Sequence, residues 1–424
     1  MGAWLSKHLE PTAAHLTYLI ISAFLLIYAL FSSFIRNRLH LSEPPLATLV
    51  GIVFGPQGAN FLSPEKWGME DNITQEATRL IVGLQVFTVG VELPKLWFNR
   101  HWKSVGMMLG PVMTFSACLA PTDPVLAASV LAESAALKEW VLGAVLWQCT
   151  LGLSIGLVAG HCFNRALRFA EKYDYIDPAS FLVFYFLLAI FAVGIGSTLN
   201  VDDFLAAFGA GYGFAWDGWF AKKTRETHLP NILDLFLNSS MFIYFGAIIP
   251  WSHFTPGPYT AGVTPGRLVG LLVLIVLFRR IPVVLALKRF IPDIRTYREA
   301  LFCGHFGPMG LGALFLVIEA RAQLENGTSL PDPHPPKLTK HKAAIETIWP
   351  VVCFIILGST MIHGLSVAAI SVGSHYSRKE GERAPLIGQE GEGLSYMVHE
   401  GGGGESEPSV SGDDDPDPVQ DGEA

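Results

Sequence analysis

Long runs of apolar residues constrain this chain more than any other feature of its sequence. About 20 apolar residues in a helix cross roughly 30 Å of hydrocarbon, and a spanning helix satisfies all its own backbone hydrogen bonds. The sequence therefore predicts an all-α polytopic membrane protein with eleven transmembrane helices. These cover residues 14–34, 44–62, 75–94, 105–135, 139–163, 178–199, 203–220, 231–250, 265–287, 298–320 and 346–370.

The composition agrees with this class and argues against several others. Hydrophobic residues make up 50% of the chain and charged residues 16%, whereas soluble proteins carry about 25% charged residues. Five cysteines lie in apolar spans without CxxC spacing, which favours packing over metal binding or disulfides. No P-loop, HExxH, GxSxG or nucleic-acid motif occurs. We therefore expect the lipid bilayer as a partner, and no enzyme activity, cofactor, resident metal or nucleic-acid partner.

The uneven distribution of charge predicts the orientation of the chain and a separate tail. Residues 371–424 carry 13 acidic and 3 basic residues, whereas the rest of the chain carries 24 and 26. Basic loops alternate with loops poor in bases, so the positive-inside rule places the N-terminus outside and the C-terminus in the cytoplasm. We predict a transmembrane domain over 1–373 and a disordered acidic tail over 374–424, which is too polar to build a core.

The strongest candidate site in the sequence is Pro121-Thr122-Asp123-Pro124. The prolines remove amide donors and should break the helix within 105–135, a stretch too long for one straight span. A broken helix at mid-membrane exposes carbonyls and helix ends that can coordinate a cation stripped of water. Asp123, beside Thr122, would add an anionic oxygen for Na⁺ or Li⁺, or would hold a proton. The alternative is a proline kink in which Asp123 caps the second half-helix.

Six motifs follow one another along the chain: LATLVGIVFGPQGANFLSP, FTVGVELPKLW, PTDPVLAASVL, DDFLAAFGAGYGFAWDG, RRIPVVLAL and GHFGPMGLGALF. In this order they resemble the fungal plasma-membrane sodium/proton antiporters of the cation/proton antiporter-1 family, over nearly all of residues 10–370. The resemblance implies a homodimer of helical subunits, in which two broken helices cross near a cation site. It also implies exchange of cytoplasmic Na⁺, Li⁺ or K⁺ for external protons by alternating access.

The family pattern is interrupted around residues 115–135. Members of the family have about thirteen spans, and two of these are missing here. The family's Asn-Asp pair, whose Asp is its main cation and proton carboxylate, is absent after Glu133 and Ser134. Losing an even number of spans preserves the sidedness of the remaining loops. We therefore expect impaired transport, or alternatively a non-transporting protein that dimerises with or regulates an intact antiporter.

The resemblance pairs Glu133 with an arginine of a late span, either Arg279 or Arg280. An arginine at membrane depth needs a counter-ion, which agrees with such a pair. The alternative is that both arginines extend to the cytoplasmic face, where water solvates their charge.

Three further sets of polar residues that contain acids lie near span ends. Asp202 and Asp203 open a helix, where they could satisfy free amides at its N-terminus. Alternatively they are carboxylates at an outer mouth that attract cations, and the resemblance places them among functionally sensitive acids. Asp217 is predicted as an interfacial anchor or gate. Asp234 and Asn238 share one helix face, with a structural or a pathway role.

Glycines with one proline weaken the helix near residue 307. The resemblance makes Gly307, Pro308 and Gly310 the second broken helix, and the alternative is close helix packing through small residues. His305 and His363 could titrate near physiological pH, although hydrogen-bonded structural histidines are more common.

Overall fold

The computed structural model describes residues 13–64, 71–93, 101, 103, 147–220, 229–257, 260, 262–331 and 342–377. Within these residues all regular structure is helical and no strand occurs. This confirms the predicted all-α class. The candidate residues Pro121, Thr122, Asp123, Pro124 and Glu133 lie outside the described residues.

The α-helices are named here in chain order. They are α1 (Ala13–Phe34), α2 (Glu43–Phe54), α3 (Asp71–Glu92), α4 (Gly152–Lys172), α5 (Pro178–Thr198), α6 (Asp203–Phe214), α7 (Leu229–Ile248), α8 (Pro265–Phe278), α9 (Ile281–Leu287), α10 (Tyr297–His305), α11 (Leu311–Asn326) and α12 (Lys342–Ser377). Short π-helical and 3₁₀ turns continue some of them, such as Ile35–Leu39 after α1 and Lys288–Phe290 after α9.

Three helical stretches of the described chain are long and apolar enough to cross a membrane. They are His15–Phe34, Pro265–Phe290 and Lys342–Ile370. Shorter apolar helices cover Glu43–Phe54, Val183–Thr198 and Ile232–Ile248.

Two predicted spans are each divided into a pair of helices. The apolar run 265–287 forms α8 and α9, and Pro282 lies in the first turn of α9. Proline has no amide to continue a helix from the preceding turn, which explains an interruption there. The run 298–320 forms α10 and α11, and residues 306–310 between them are not helical. Both interruptions come together in space, as described below.

Helix α6 packs directly against α3 on one side and α4 on the other. A Cβ added to Gly156 of α4 would overlap the carbonyl oxygen of Ala206 in α6. A Cβ added to Gly211 of α6 would overlap the carbonyl oxygen of Phe87 in α3. Small residues that allow such close backbone approach are typical of helix pairs in membranes. These contacts fix α3, α4 and α6 as one layer.

Aromatic side chains fill the space between this layer and α5. Phe87, Tyr185, Phe214 and Phe220 are almost completely buried there. The rings of Phe87 and Tyr185 meet edge to face, with centroids 5.1 Å apart. Aromatic pairs in this geometry contribute beyond the area they bury, so α5 is firmly attached to the layer.

A second apolar cluster joins α2, α7, α11 and α12. Its fully buried members include Ile243 and Phe245 of α7, Leu314 of α11 and Ile356 of α12. At Gly51 of α2 a Cβ would overlap the carbonyl oxygen of Ile243, so these two backbones also touch. The second cluster surrounds the end of α11 that follows the interruption at 306–310.

Candidate functional site

Arginines from the α8–α9 junction bind the carbonyls of the interrupted helix. Arg279 donates a hydrogen bond from Nη2 to the carbonyl oxygen of Gly307. Arg280 donates from Nη1 to the carbonyl oxygen of Phe306 over 3.2 Å. The Arg280 side chain passes so close to Gly307 that a Cβ there would overlap its guanidinium group. Glycine at position 307 therefore makes room for the arginine.

Two side chains of α12 complete the backbone hydrogen bonds at the same interruption. The amide of Met309 donates to Ser359 Oγ over 2.8 Å. His363 Nε2 lies 2.9 Å from the carbonyl oxygen of His305, the last residue of α10. On the other side of the ring, Nδ1 lies 2.7 Å from the carbonyl oxygen of Ser359 and 3.2 Å from its Oγ. The two histidine rings stack with centroids 5.1 Å apart.

Three consecutive carbonyls at the start of the interruption are therefore contacted by side chains of the protein itself. Those of residues 306 and 307 accept from Arg280 and Arg279, and that of residue 305 contacts His363 Nε2. Unpaired backbone groups at membrane depth are costly, and these side chains remove that cost. A small cleft beside them has room for about one water molecule. Its lining includes both arginines, both histidines and Ser359.

The predicted counter-ion of the arginines, Glu133, lies outside the described residues. Within those residues no carboxylate forms an ion pair with Arg279 or Arg280. Their positive charges instead face backbone carbonyls, and they lie next to each other in the chain.

Asp202 and Asp203 open α6 and have different surroundings. Asp202 is the N-cap, and its Oδ1 accepts from the amide of Leu205 over 2.8 Å. The side chain of Asp203 is 14% exposed, and its Oδ2 accepts from Ser197 Oγ over 3.2 Å. Arg79 Nη1 lies 3.6 Å from the same carboxylate oxygen and donates to Ser197 Oγ over 3.1 Å. Capping thus accounts for Asp202, whereas Asp203 forms a largely buried charge pair with Arg79 beside the exposed Ser197.

Arg79 was not among the residues predicted from the sequence. It lies in the apolar run 75–94, in the first half of α3, with Glu76 one turn earlier. A single arginine inside such a run was the signal that could have found it, because an intramembrane charge needs a partner. Asp203 was identified without that partner.

Asp234 and Asn238 of α7 face α3. Gln85 Nε2 donates to Asp234 Oδ1 over 2.8 Å and to Asn238 Oδ1 over 3.2 Å. Nearby, the hydroxyl groups of Thr88 and Tyr185 are 2.6 Å apart. A row of polar groups therefore follows the side of α3 that meets α5 and α7.

Asp217 lies at the far end of α6, in the turn Ala215–Trp219. It forms an ion pair with Arg168 of α4 and accepts from the amide of Trp219 over 3.0 Å. The guanidinium carbon of Arg168 lies 4.9 Å from the Trp219 ring centroid. These contacts agree with an anchor that joins the ends of α4 and α6.

A membrane helix interrupted where other helices supply its hydrogen bonds is typical of secondary transporters. The sequence pattern described as "Sodium/hydrogen exchanger, transmembrane" matches residues 125–373. The chain belongs to this family, whose members are membrane transporters rather than enzymes.

Curated relatives support the same assignment. Na(+)/H(+) antiporter 2 of Zygosaccharomyces rouxii is 38% identical, with 88% of this chain and 55% of the relative covered. A Na(+)/H(+) antiporter of Saccharomyces cerevisiae is also 38% identical, covering 88% of this chain and 45% of the relative. The chain thus spans about half the length of these relatives.

A solved structure has the same fold. The sodium proton antiporter MjNhaP1 from Methanocaldococcus jannaschii superposes with a TM-score of 0.57 at 12% identity. The superposition covers 85% of this chain and 97% of that chain. The predicted antiporter fold is confirmed by this match, and the family resemblance by the sequence matches.

The sequence matches also bear on the interrupted family pattern. The match to the Zygosaccharomyces rouxii protein extends over 446 aligned positions, more than the 424 residues of the whole chain. Yet only 88% of this chain takes part. The relative therefore has segments, within the matched region, that have no counterpart here.

Proposed function

We propose that this chain is a secondary active transporter of the type that exchanges Na⁺, and also Li⁺ or K⁺, for H⁺ in cation and pH homeostasis. The observation that carries the proposal is membership of the sodium/hydrogen exchanger family over residues 125–373. The antiporters among its relatives and the antiporter fold support it further.

In this proposal a cation and a proton compete for the same carboxylates. The proposed ligands are Thr122 and Asp123, at the break between Pro121 and Pro124, together with Asp202 and Asp203. Because a proton neutralises the group that binds the cation, exchange should depend steeply on pH. The contacts of Asp203 with Ser197 and Arg79 support its inclusion, whereas Asp202 also has the structural role of a helix cap.

The second broken helix of the proposal is the interruption at Gly307, Pro308 and Gly310. Its contacts with Arg279 and Arg280 support a structural role for both arginines. We propose that Glu133 compensates one of their charges, as the family resemblance implies.

Exchange is proposed to be impaired in this chain. The Asn-Asp pair of the family is absent from the sequence, and the longer relatives support a loss of internal segments. Asp123 is then the best remaining carboxylate for the exchange step.

The proposed arrangement in the cell is a homodimer in the plasma membrane, with the N-terminus outside and the tail 374–424 in the cytoplasm. This follows the basic loops and the fungal relatives. A purified assembly of about twice the chain mass of 46.2 kDa would support the dimer, and a monomeric mass would contradict it.

Proton flux driven by a Na⁺ gradient in reconstituted vesicles tests the proposed function. We expect a small flux compared with the Saccharomyces cerevisiae relative, and a further loss in Asp123→Asn. A flux equal to that of the intact relative would contradict the impairment. A flux unaffected by Asp123→Asn would remove Asp123 from the site.

The absent Asn-Asp pair also favours a second candidate function. A chain that keeps the antiporter fold without the main carboxylate could dimerise with an intact antiporter and regulate it. Co-expression with such a relative should then yield a co-purifying complex, and failure to co-purify would count against this role. Sequencing the transcript across codons 110–140 shows whether the missing segments are encoded.

A further inference from the structure

We propose that Arg79 acts as a tethered cation that competes with the transported cation for the carboxylate of Asp203. This inference rests on the proposed function, because it assigns Asp203 to the cation pathway. It adds a residue that sets how readily that carboxylate accepts a cation from outside the protein.

The first observation is the position of the guanidinium group. Arg79 Nη1 lies 3.6 Å from Asp203 Oδ2, and both side chains are nearly buried, with 13% and 14% exposed. At this distance and burial, two opposite charges attract each other strongly. The positive charge of Arg79 therefore already faces the carboxylate for which a Na⁺ would compete.

The second observation is that the pair is loose. Strong arginine–carboxylate pairs have two parallel hydrogen bonds of about 2.7–2.9 Å. Here the separation is 3.6 Å, and Ser197 Oγ lies between, accepting from Arg79 and donating to Asp203. A cation that offers Asp203 a closer contact can displace such a partner.

The third observation concerns the surroundings of Arg79. Its guanidinium carbon lies 5.1 Å from the centroid of the Phe315 ring, and Nε has no hydrogen-bond partner among the described residues. Within the described part of the chain its other acidic contact is Glu76, whose side chain is 51% exposed, at 3.6 Å. The side chain thus has the Phe315 face and Glu76 to retain it when Asp203 binds another cation.

The consequence is that Arg79 balances the negative charge of Asp203 when no Na⁺ is bound. An isolated buried carboxylate is expensive, so an empty site would otherwise favour proton uptake. The Arg79 charge reduces this cost and raises the Na⁺ concentration needed to fill the site. Removing it should make Na⁺ bind at lower concentration.

Thermal unfolding of the purified full-length chain in detergent tests this without transport. Five proteins are titrated with NaCl, while choline chloride keeps the ionic strength constant. They are the wild type, Arg79→Gln, Arg79→Lys, Glu76→Gln and the double variant Arg79→Gln/Asp203→Asn. We expect Arg79→Gln to reach half-maximal Na⁺ stabilisation at about tenfold lower concentration than wild type. Arg79→Lys should resemble wild type, and the double variant should lose the response. Glu76→Gln should need more Na⁺ than wild type, because it removes a group that holds the displaced arginine.

A purely structural ion pair gives a different result. Arg79→Gln would then unfold at lower temperature with the same Na⁺ midpoint as wild type, and this overturns the inference. Na⁺ stabilisation that persists in the double variant, or that is absent from every variant, overturns it as well. If Arg79→Gln does not fold, Arg79→Met, which removes the charge but keeps an apolar side chain beside Phe315, replaces it, and an unchanged Na⁺ midpoint there has the same meaning.

The outcome is separable from that of the proposed function. A shifted Na⁺ midpoint in a chain without measurable vesicle exchange supports the inference while the exchange proposal fails. Measurable vesicle exchange together with equal Na⁺ midpoints in wild type and Arg79→Gln supports the proposed function and contradicts the inference.

Discussion

His363 connects the last residue of α10 to α12 through one ring nitrogen on each side. Nε2 contacts the His305 carbonyl, and Nδ1 contacts both the carbonyl and the Oγ of Ser359, whose Oγ accepts a hydrogen bond from the amide of Met309. A carbonyl and an amide on opposite sides of the interruption are thus satisfied from a single turn of α12. The arrangement makes His363 a structural residue of the break, which the sequence analysis considered as one of two alternatives.

Replacing His363 with alanine should destabilise the chain. The ring's hydrogen-bond contacts with the His305 carbonyl and with Ser359 are lost, and leaving a buried polar group unpaired costs about 1–3 kcal/mol. We expect a corresponding loss in the free energy of unfolding, measured by thermal or denaturant unfolding in detergent. His161→Ala, at an exposed position of α4, serves as the control and should have little effect. Equal stability of the two variants would contradict the role of His363.

At the scale of elements, packing of α6 depends on the absence of side chains. Gly156 lets α4 touch the backbone of α6, and Gly211 lets α6 touch α3. Gly156→Ala should therefore force the helices apart and cost roughly 1–3 kcal/mol of stability. Gly270→Ala in α8 is the matched control, because a Cβ there meets nothing within 4 Å and alanine favours helix. A Gly156→Ala protein as stable as the control would show that α4 and α6 do not require this contact.

The boundaries of a helix could be predicted closely from the sequence where the helix and its apolar run end together. Helix α5 covers Pro178–Thr198 against a predicted 178–199, because a turn follows the run at once. Helix α4 instead continues to Lys172, beyond the predicted end at 163. Basic residues end the membrane part of a helix without ending its hydrogen bonding, so hydropathy alone placed that boundary too early.

The interruptions and their partners were predictable to different degrees. Glycines and Pro308 indicated the break at 306–310 because both residue types weaken a helix. The identity of the donors at that break was not predictable, since Ser359 and His363 come from a helix some fifty residues later. Arg79 illustrates the same limit, because only the three-dimensional structure places it beside Asp203.

At the scale of the whole molecule, the missing segments should determine activity. The family resemblance implies that the corresponding longer segment of the Saccharomyces cerevisiae relative carries the Asn-Asp pair and two further spans, so this segment is placed in the region around 115–135. We expect Na⁺-driven proton flux in vesicles to rise toward that of the relative. The same chimera with that pair's aspartate changed to asparagine is the control and should remain inactive. A folded chimera without flux would place the defect elsewhere in the chain.

The direct backbone contacts of α6 also limit which helices can move relative to one another. Carbonyls fitted against glycines resist sliding by part of a turn, so α3, α4 and α6 should move as one rigid body. Contacts of α3 with α7 and α11 are made by longer side chains, such as Gln85 with Asp234, Thr74 with Tyr244, and Arg79 with Phe315. Rotatable side chains can exchange partners over small displacements, and any rocking motion of this molecule should therefore occur along that boundary.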